Sequence, residues 1–239
     1  MTLLEICLDD IDGAITAERR GADRIELCAG LVEGGTTPSL GTVQTLLGHV
    51  ERIGVQVLVR QRAGDFVFSA TEVDAMCADI EAMRALPTPT GVRLGFVIGA
   101  LNPDGTVDRD ATRRMLAACG DAPVTFHKAF DETIDLDEAL DILIELGIGR
   151  VLTSGGPGTA ADGASALARL VRRSAGRIAI LAAGGIRPHT AADLIVRTGV
   201  GEVHLRAQEA IQSGRREDTA TRLVTSATVI DDMLRALGR

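Results

Sequence analysis

The feature that most constrains this chain is an alternation of short β-type runs with amphipathic helical patterns, repeated eight times from one end to the other. The helical stretch DLDEALDILIELG, with apolar residues at helical spacing and a glycine stop, is typical of the segments between the runs. Eight such units in 239 residues predict an α/β fold of the (β/α)8 TIM-barrel type. The predicted strands are LLEICL from residue 3, DRIELC from 23, VQVLVR from 55, LGFVIGAL from 94, PVTFHKA from 123, RVLTSG from 150, RIAILAA from 177 and EVHLRA from 202.

No Pro/Ser-rich linker or low-complexity block interrupts the pattern, so we predict a single domain over residues 1–239. A doubly wound open sheet is the alternative. It is less favoured, because it usually has fewer strands and a GxGxxG turn after the first strand, and that turn is absent here.

Composition excludes several classes of function. A net charge of −8, no Trp, no Tyr and only five Phe argue against a nucleic-acid surface, which needs clustered cations and stacking rings. The longest apolar run, IAILAAGGI, is too short to span a bilayer, and the start MTLLEICLDD lacks the basic region of a signal peptide. These features predict a soluble cytoplasmic protein with no membrane partner.

The four cysteines are widely spaced and form no CxxC pair, so in a reducing compartment they are expected to be free thiols. Cys77 and Cys119 share helical stripes with apolar residues and are interpreted as core residues. Cys7 and Cys28 instead lie in predicted strands.

Strand alternation places a polar set on one side of the sheet. Glu5 faces the same way as Cys7, and Glu26 the same way as Cys28, while their apolar neighbours pack under the helices. Charges inside a barrel near strand ends indicate an active site, because barrel interiors are usually filled by branched apolar side chains. By the same alternation Thr125, His127, His204 and Arg206 point inward, and Phe126 and Lys128 point outward.

Two buried carboxylates need a balancing charge, and the third strand offers Arg60 and Arg62 in VRQRAGDF, with Asp65 at the mouth. We expect these arginines to reach Glu5 and Glu26. The set then forms either a pocket for an anionic or polyhydroxylated small molecule or a buried ion-pair network that only holds strands together.

Two further patterns suggest chemistry at the mouth. His127 and Asp131 in TFHKAFD could form a His–carboxylate pair for proton transfer, although a hydrogen-bonded core histidine is an equal alternative. Gly184 and Gly185 follow the seventh strand, where barrels commonly bind phosphate, but a tight turn alone would also need glycine.

Six segments in order resemble the CutC family, which is named for copper homeostasis: EIC, GADRIELCAGLVEGGTTPSLG, RQRAGDF, VTFHKAFD, RVLTSGG and EVH. The resemblance runs from about Leu3 to His204. It implies a cytoplasmic barrel that commonly self-associates, as a dimer or tetramer, and a copper role in which thiols take part. The family's early cysteines fall on Cys7 and Cys28, and its polar set falls on Glu5, Glu26, Arg60, Arg62, Asp65, His127, Asp131, Ser154 and His204.

The chain departs from this pattern at the mouth. Lys128 stands where the family usually has arginine, and Leu205 and Arg206 stand where it tends to small residues.

Three functions remain open at this point. The resemblance implies a protein that binds copper as Cu(I) through Cys7 and Cys28, since Cu(I) prefers thiolates. The alternative is a lyase, isomerase or hydrolase for a small phosphorylated or carboxylated metabolite, with Glu26, His127 and Asp131 as catalytic groups. Anion-binding groups would then be Glu5, Arg60, Arg62, Asp65, Ser154, Gly184, Gly185 and His204. A weaker option is a harder divalent ion on Glu5, Glu26, His127 and His204.

Overall fold

The computed structural model describes residues 1–213 and 220–239. Eight parallel strands close into a barrel in chain order, and the last strand pairs with the first through Leu3 opposite Glu202. The predicted (β/α)8 TIM barrel is therefore confirmed. The strands are β1 (Leu3–Leu8), β2 (Arg24–Leu27), β3 (Gly54–Leu58), β4 (Arg93–Ile98), β5 (Val124–Phe126), β6 (Arg150–Thr153), β7 (Ala179–Ala182) and β8 (Glu202–Leu205).

Helices surround the barrel, and most begin at a side chain that accepts a hydrogen bond from the backbone N–H groups of the first turn. Ser39 does this for Thr42, and Asp135 does it for Asp137 and Glu138, which satisfies N–H groups that have no partner within the helix. The helices are α1 (Ile11–Arg20), α2 (Leu40–Leu47), α3 (Ala70–Arg84), α4 (Arg109–Cys119), α5 (Leu136–Glu145), α6 (Ala164–Ser174), α7 (Pro188–Thr198) and α8 (Ala227–Ala236). In the described ranges, no helix is long and apolar enough to cross a membrane.

The apolar side of each strand forms the layer between barrel and helices, as the alternation predicted. Leu4, Ile6, Ile25 and Leu27 are completely buried in this layer. Burial of such side chains is the main driving force for folding, at about 25 cal/mol for each Å² of apolar surface removed from water. The side chains on the opposite face of the same strands line the barrel interior.

The fifth strand is shorter than predicted, and this changes where Lys128 lies. Its backbone leaves the sheet after Phe126 because the Ala129 N–H turns back to donate to His127 Nδ1, and residues Lys128–Glu132 form a 3-10 helix. The side chain of Lys128 was expected to face outward by strand alternation. That expectation was wrong: Lys128 lies at the mouth, where its Nζ donates to the Gly34 carbonyl oxygen at 3.2 Å.

A β-hairpin that the sequence pattern did not predict precedes the last helix. Its strands, β9 (Gln208–Ser213) and β10 (Ala220–Thr225), pair antiparallel. The Thr225 hydroxyl donates to the Asp10 carboxylate at 2.8 Å, and Asp10 also caps α1. The hairpin is thus attached to the beginning of the first helix.

Glu18 of α1 gives a test of the fold that is independent of the site. Its Oε1 accepts backbone N–H groups from Glu51, Arg52 and Ile53 at 2.9, 2.7 and 3.0 Å. Burial raises the pKa of Glu18, but these hydrogen bonds outweigh it and lower the pKa below its ordinary value of 4.5. Because the folded-state pKa is the lower one, the stabilisation is present above pH 4.5 and is lost as pH falls through the folded-state pKa.

We therefore expect Glu18→Gln to lower the free energy of unfolding at pH 7 by about 1–2 kcal/mol. The difference from wild type should shrink on acidification, as urea unfolding at several pH values would measure. Glu145→Gln, at an exposed ion pair with Arg109, is the matched control and should cost less than about 1 kcal/mol. An equal cost for both variants at pH 7 would contradict the role of Glu18.

Candidate metal and anion site

Strand register brings acidic, basic and sulfur-bearing side chains together inside the barrel. On β1 and β2, Glu5 lies beside Arg24, and Cys7 lies beside Glu26. On the other side of β1, Glu5 lies beside His204 of β8. First and last strands therefore contribute to one polar cluster, although they are about 200 positions apart in the sequence.

Arg24 is the cation that balances this cluster. Its Nε donates to Glu5, and its Nη2 donates to Glu202 Oε2 at 2.5 Å; Arg150 Nε bonds the same Glu202 oxygen at 2.5 Å. Arg24 is only 8% exposed, so these are buried ion pairs. The sequence analysis did not identify Arg24 as this cation, although strand alternation directs Arg24 to the same face as Glu26.

The prediction that Arg60 and Arg62 reach Glu5 and Glu26 was wrong. Arg62 Nε bonds Glu72 at 2.7 Å, and its Nη2 bonds Asp65 at 3.0 Å, in a cluster that does not line the mouth cavities. Arg60 donates to the carbonyl oxygens of nearby glycines, Gly35 at 3.1 Å among them. Both arginines follow the end of β3 at Leu58, so the strand no longer directs them inward.

The two early cysteines meet at the carboxyl ends of β1 and β2. Their Sγ atoms lie 3.9 Å apart, a distance that the spacing of adjacent strands allows. Ligand atoms of Cys7, Glu26 and His204 all lie within 4.8 Å of one another. These residues line a cavity of about 170 Å³ that also contacts Arg60, His127 and Lys128.

Neighbouring charges give the two thiols opposite character. The contact with Cys28, together with His204 beside it, holds the pKa of Cys7 well below its ordinary value, although burial acts in the opposite direction. The same contact with Cys7, together with burial, raises the pKa of Cys28. Burial and the charge of Cys7 raise the pKa of Glu26. The surroundings therefore favour loss of a proton at Cys7 and oppose it at Cys28 and Glu26.

Glu5 sets the orientation of His204. The His204 Nδ1–H donates to Glu5 Oε1 at 2.7 Å, and Nε2 lies 3.7 Å from Glu26 Oε2. Burial alone would lower the pKa of His204, but the contacts with Cys7 and Glu5 raise it well above its ordinary value. Burial would also raise the pKa of Glu5, yet His204 and Arg24 bring it down to about 2. The imidazole is thus fixed by a carboxylate on one nitrogen and lies close to Cys7 and Glu26.

His127 and Asp131 do not form the predicted catalytic pair. Asp131 accepts hydrogen bonds from Thr153 Oγ1, from the N–H and hydroxyl of Ser154, and from the Gly156 N–H at 3.0 Å. Burial and the charges of Arg60 and Lys128 lower the pKa of His127 to about 3. At neutral pH this histidine is uncharged, so it is unsuited to the acid/base role that the sequence suggested.

A larger cavity of about 730 Å³ lies next to the small one, and only some of the remaining predicted residues line it. Ser154 and Gly184 line it, together with Lys128 and His204, which line both cavities. Gly185 is not among its lining residues in the described part of the chain. The Gly184 carbonyl accepts a backbone hydrogen bond from Ala160, and its φ of 94° requires glycine-like freedom.

The donor set fits a soft metal ion better than a hard one. Thiolate sulfur and a carboxylate-oriented imidazole suit Cu(I), as in sites where the second nitrogen of a ligand histidine bonds a carboxylate. The harder set proposed from sequence does not assemble, because both Glu5 oxygens are engaged and His127 Nδ1 already accepts a backbone N–H.

The fold and site together define a (β/α)8 barrel that presents two thiols and an oriented imidazole at its carboxyl-terminal mouth. A family model described as the CutC family matches residues 2–209, and the chain belongs to this family. A family protein CutC of Mesorhizobium japonicum is 45% identical over 216 residues, 90% of this chain and 81% of that protein. The human copper homeostasis protein cutC homolog is 41% identical over 214 residues, 90% of this chain and 76% of that protein.

Two solved structures share this fold. CutC from Streptococcus agalactiae matches with a TM-score of 0.77 and 29% identity, covering 85% of this chain and 98% of that one. A phosphoribosyl anthranilate isomerase from Thermococcus kodakaraensis matches with a TM-score of 0.61 and 16% identity, covering 99% of each chain. At that identity the second match shows the shared fold alone.

The Arg24 ion pairs predict a large loss of stability when the cation is removed. Arg24→Met leaves Glu5 and Glu202 buried with fewer partners, so we expect the free energy of unfolding to fall by about 3–5 kcal/mol in urea titrations. Arg114→Met removes an exposed pair with Asp74 and should cost about 1 kcal/mol or less. Similar losses for both variants would show that Arg24 does not carry the buried charge balance.

Proposed function

We propose that this protein binds Cu(I) at Cys7, Cys28 and His204 and serves in copper homeostasis. The observation that carries the proposal is the joint arrangement of two thiols 3.9 Å apart with an imidazole whose Nδ1–H is bonded to Glu5. The names of the human and mouse relatives, copper homeostasis protein cutC homolog, support the same function.

The chemistry of the three donors suits this ion. Cu(I) is soft and prefers thiolate sulfur, and imidazole nitrogen is a common additional ligand. Cys7 already favours the thiolate form, while Cys28 must lose its proton when the ion binds. When the ion binds, His204 must also lose a proton, and the Glu5 carboxylate keeps the remaining proton on Nδ1, so Nε2 becomes the ligand nitrogen.

We also propose that the protein acts in the reducing cytoplasm, because Cys7 and Cys28 must stay reduced to bind the ion. The self-association implied by the family resemblance stays a prediction. A lyase, isomerase or hydrolase function finds less support, since Asp131 is fully engaged with the loop after β6 and His127 does not titrate near neutral pH.

Removing the thiols tests the proposal. Reduced wild-type protein, titrated with Cu(I) against a competing chelator, should bind one ion tightly, whereas Cys7→Ser/Cys28→Ser should lose this binding. Cys77→Ser is the matched control, because Cys77 lies on α3, away from the mouth. Equal affinity of the double variant and wild type would rule out the site.

The role of His204 has a spectroscopic test. X-ray absorption of the Cu(I)-loaded protein should detect sulfur and nitrogen ligands in wild type, and sulfur ligands alone in His204→Gln. His189→Gln changes a histidine that does not line the small cavity and should leave the spectrum unchanged. A nitrogen ligand retained in His204→Gln would exclude this histidine from the site.

A further inference from the structure

One wall of the 170 Å³ cavity carries positive charge that the protein does not neutralise. Arg60 and Lys128 both line it, and both donate to the same Gly34 carbonyl oxygen, at 3.4 and 3.2 Å. Among the described residues, neither cation forms an ion pair with a carboxylate; Glu132 and Asp65 influence Arg60 only from a longer range. Arg60 is 3% exposed. The guanidinium also lies 4.6 Å from the centre of the Phe66 ring, but a buried cation held only by neutral groups is costly unless an anion joins it.

The neighbouring histidine lacks a partner as well. In the part of the chain that the structure describes, three buried side-chain atoms have no hydrogen-bond partner, and two of them belong to this wall: Arg60 Nε and His127 Nε2. The Ala129 N–H donates to His127 Nδ1 at 3.2 Å, so the ring proton must be on Nε2. His127 is therefore a buried N–H donor without an acceptor, 3% exposed, at the edge of the cavity.

Arg60, Lys128 and His127 all require the same kind of ligand atom. Arginine and lysine only donate hydrogen bonds, and the free nitrogen of His127, Nε2–H, is also a donor, so these three groups need an oxygen acceptor and do not bind a metal ion. The acidic groups opposite them already have close partners: Cys7 Sγ contacts Cys28 Sγ at 3.9 Å, and Glu26 Oε2 lies 3.7 Å from His204 Nε2. Arg60 and Lys128 place two positive charges on this wall, which favours an anion.

The shape of the mouth indicates a small molecule. The cavity shares Lys128, Leu152 and His204 with the larger cavity of about 730 Å³, so a ligand group bound at the inner wall can extend outward. We propose that this wall is an anion subsite in which the carboxylate or phosphate group of a small molecule is bound by His127 Nε2–H, the Arg60 guanidinium and the Lys128 ammonium. The subsite is beside the thiols but is independent of copper binding, so it can be tested on the metal-free protein.

Lys128 makes the test unusually direct because it is the only lysine in the chain, beside 24 arginines. Reductive methylation with ¹³C-labelled formaldehyde keeps the charge of Lys128 and places a single side-chain NMR probe at the subsite, with the α-amino group as internal reference. Inorganic phosphate and acetate are titrated separately into reduced, metal-free protein at constant ionic strength. We expect a saturable shift of the Lys128 signal with at least one of the two anions, and the anion that binds identifies the ligand class.

A histidine variant separates binding from general charge effects. His127→Phe keeps a ring between Phe66 and Phe126 but removes the Nε2–H, so the affinity for the anion should fall about tenfold, the scale of one charge-assisted hydrogen bond. His49→Gln, at an exposed histidine on the surface, should leave the titration unchanged. Absence of a saturable shift with both anions, or the same affinity in His127→Phe and wild type, would overturn the proposal.

A second pair of variants keeps the proposal testable if His127→Phe does not fold. Phosphate or acetate should raise the melting temperature of wild type and of Lys128→Arg, which preserves the charge, but much less that of Lys128→Met. Equal stabilisation of Lys128→Met and wild type would show that the anion binds elsewhere.

Discussion

The rest of the structure depends on the burial of Glu5. This carboxylate is 1% exposed, and each of its oxygens has a separate partner: one accepts from Arg24 of β2 and the other from His204 of β8. An unpaired carboxylate there would have to be protonated or cost several kcal/mol. Because the two partners lie on the strands either side of β1, the same residue joins the first pair of strands and closes the barrel.

The thiol site follows from that arrangement. Because His204 Nδ1 donates to Glu5, the imidazole is held beside Cys7. The contact with Cys28 and the charge of His204 lower the pKa of Cys7, and the contact with Cys7 raises the pKa of Cys28. Burial and the charge of Cys7 in turn raise the pKa of Glu26. By fixing the position of His204, one buried carboxylate thus influences the pKa values of the groups next to it, since charges interact strongly where water is excluded.

Much of the fold could be predicted from the sequence because local periodicity determines it. The eight strands and the inward direction of Cys7 and Cys28 follow from patterns that need no distant contact. The arginine assignments were wrong at residues beyond a strand end: alternation holds for Arg24 within β2 but not for Arg60 and Arg62, which follow β3. The pairing of His127 with Asp131 was wrong for a similar reason, because the 3-10 helix after β5 and the loop after β6 decide where Asp131 points. Such contacts depend on loop geometry, which single-sequence patterns do not contain.

The closure of the barrel through β1 and β8 has a consequence for biosynthesis. Both cysteines are made within the first 28 residues, whereas His204 arrives only near the end of the chain. A partly synthesised protein therefore carries the sulfur atoms without the imidazole or the last strand that orients it. The three side chains of the proposed copper site come together only when the two ends of the barrel meet, so the site forms after synthesis of the barrel strands is complete.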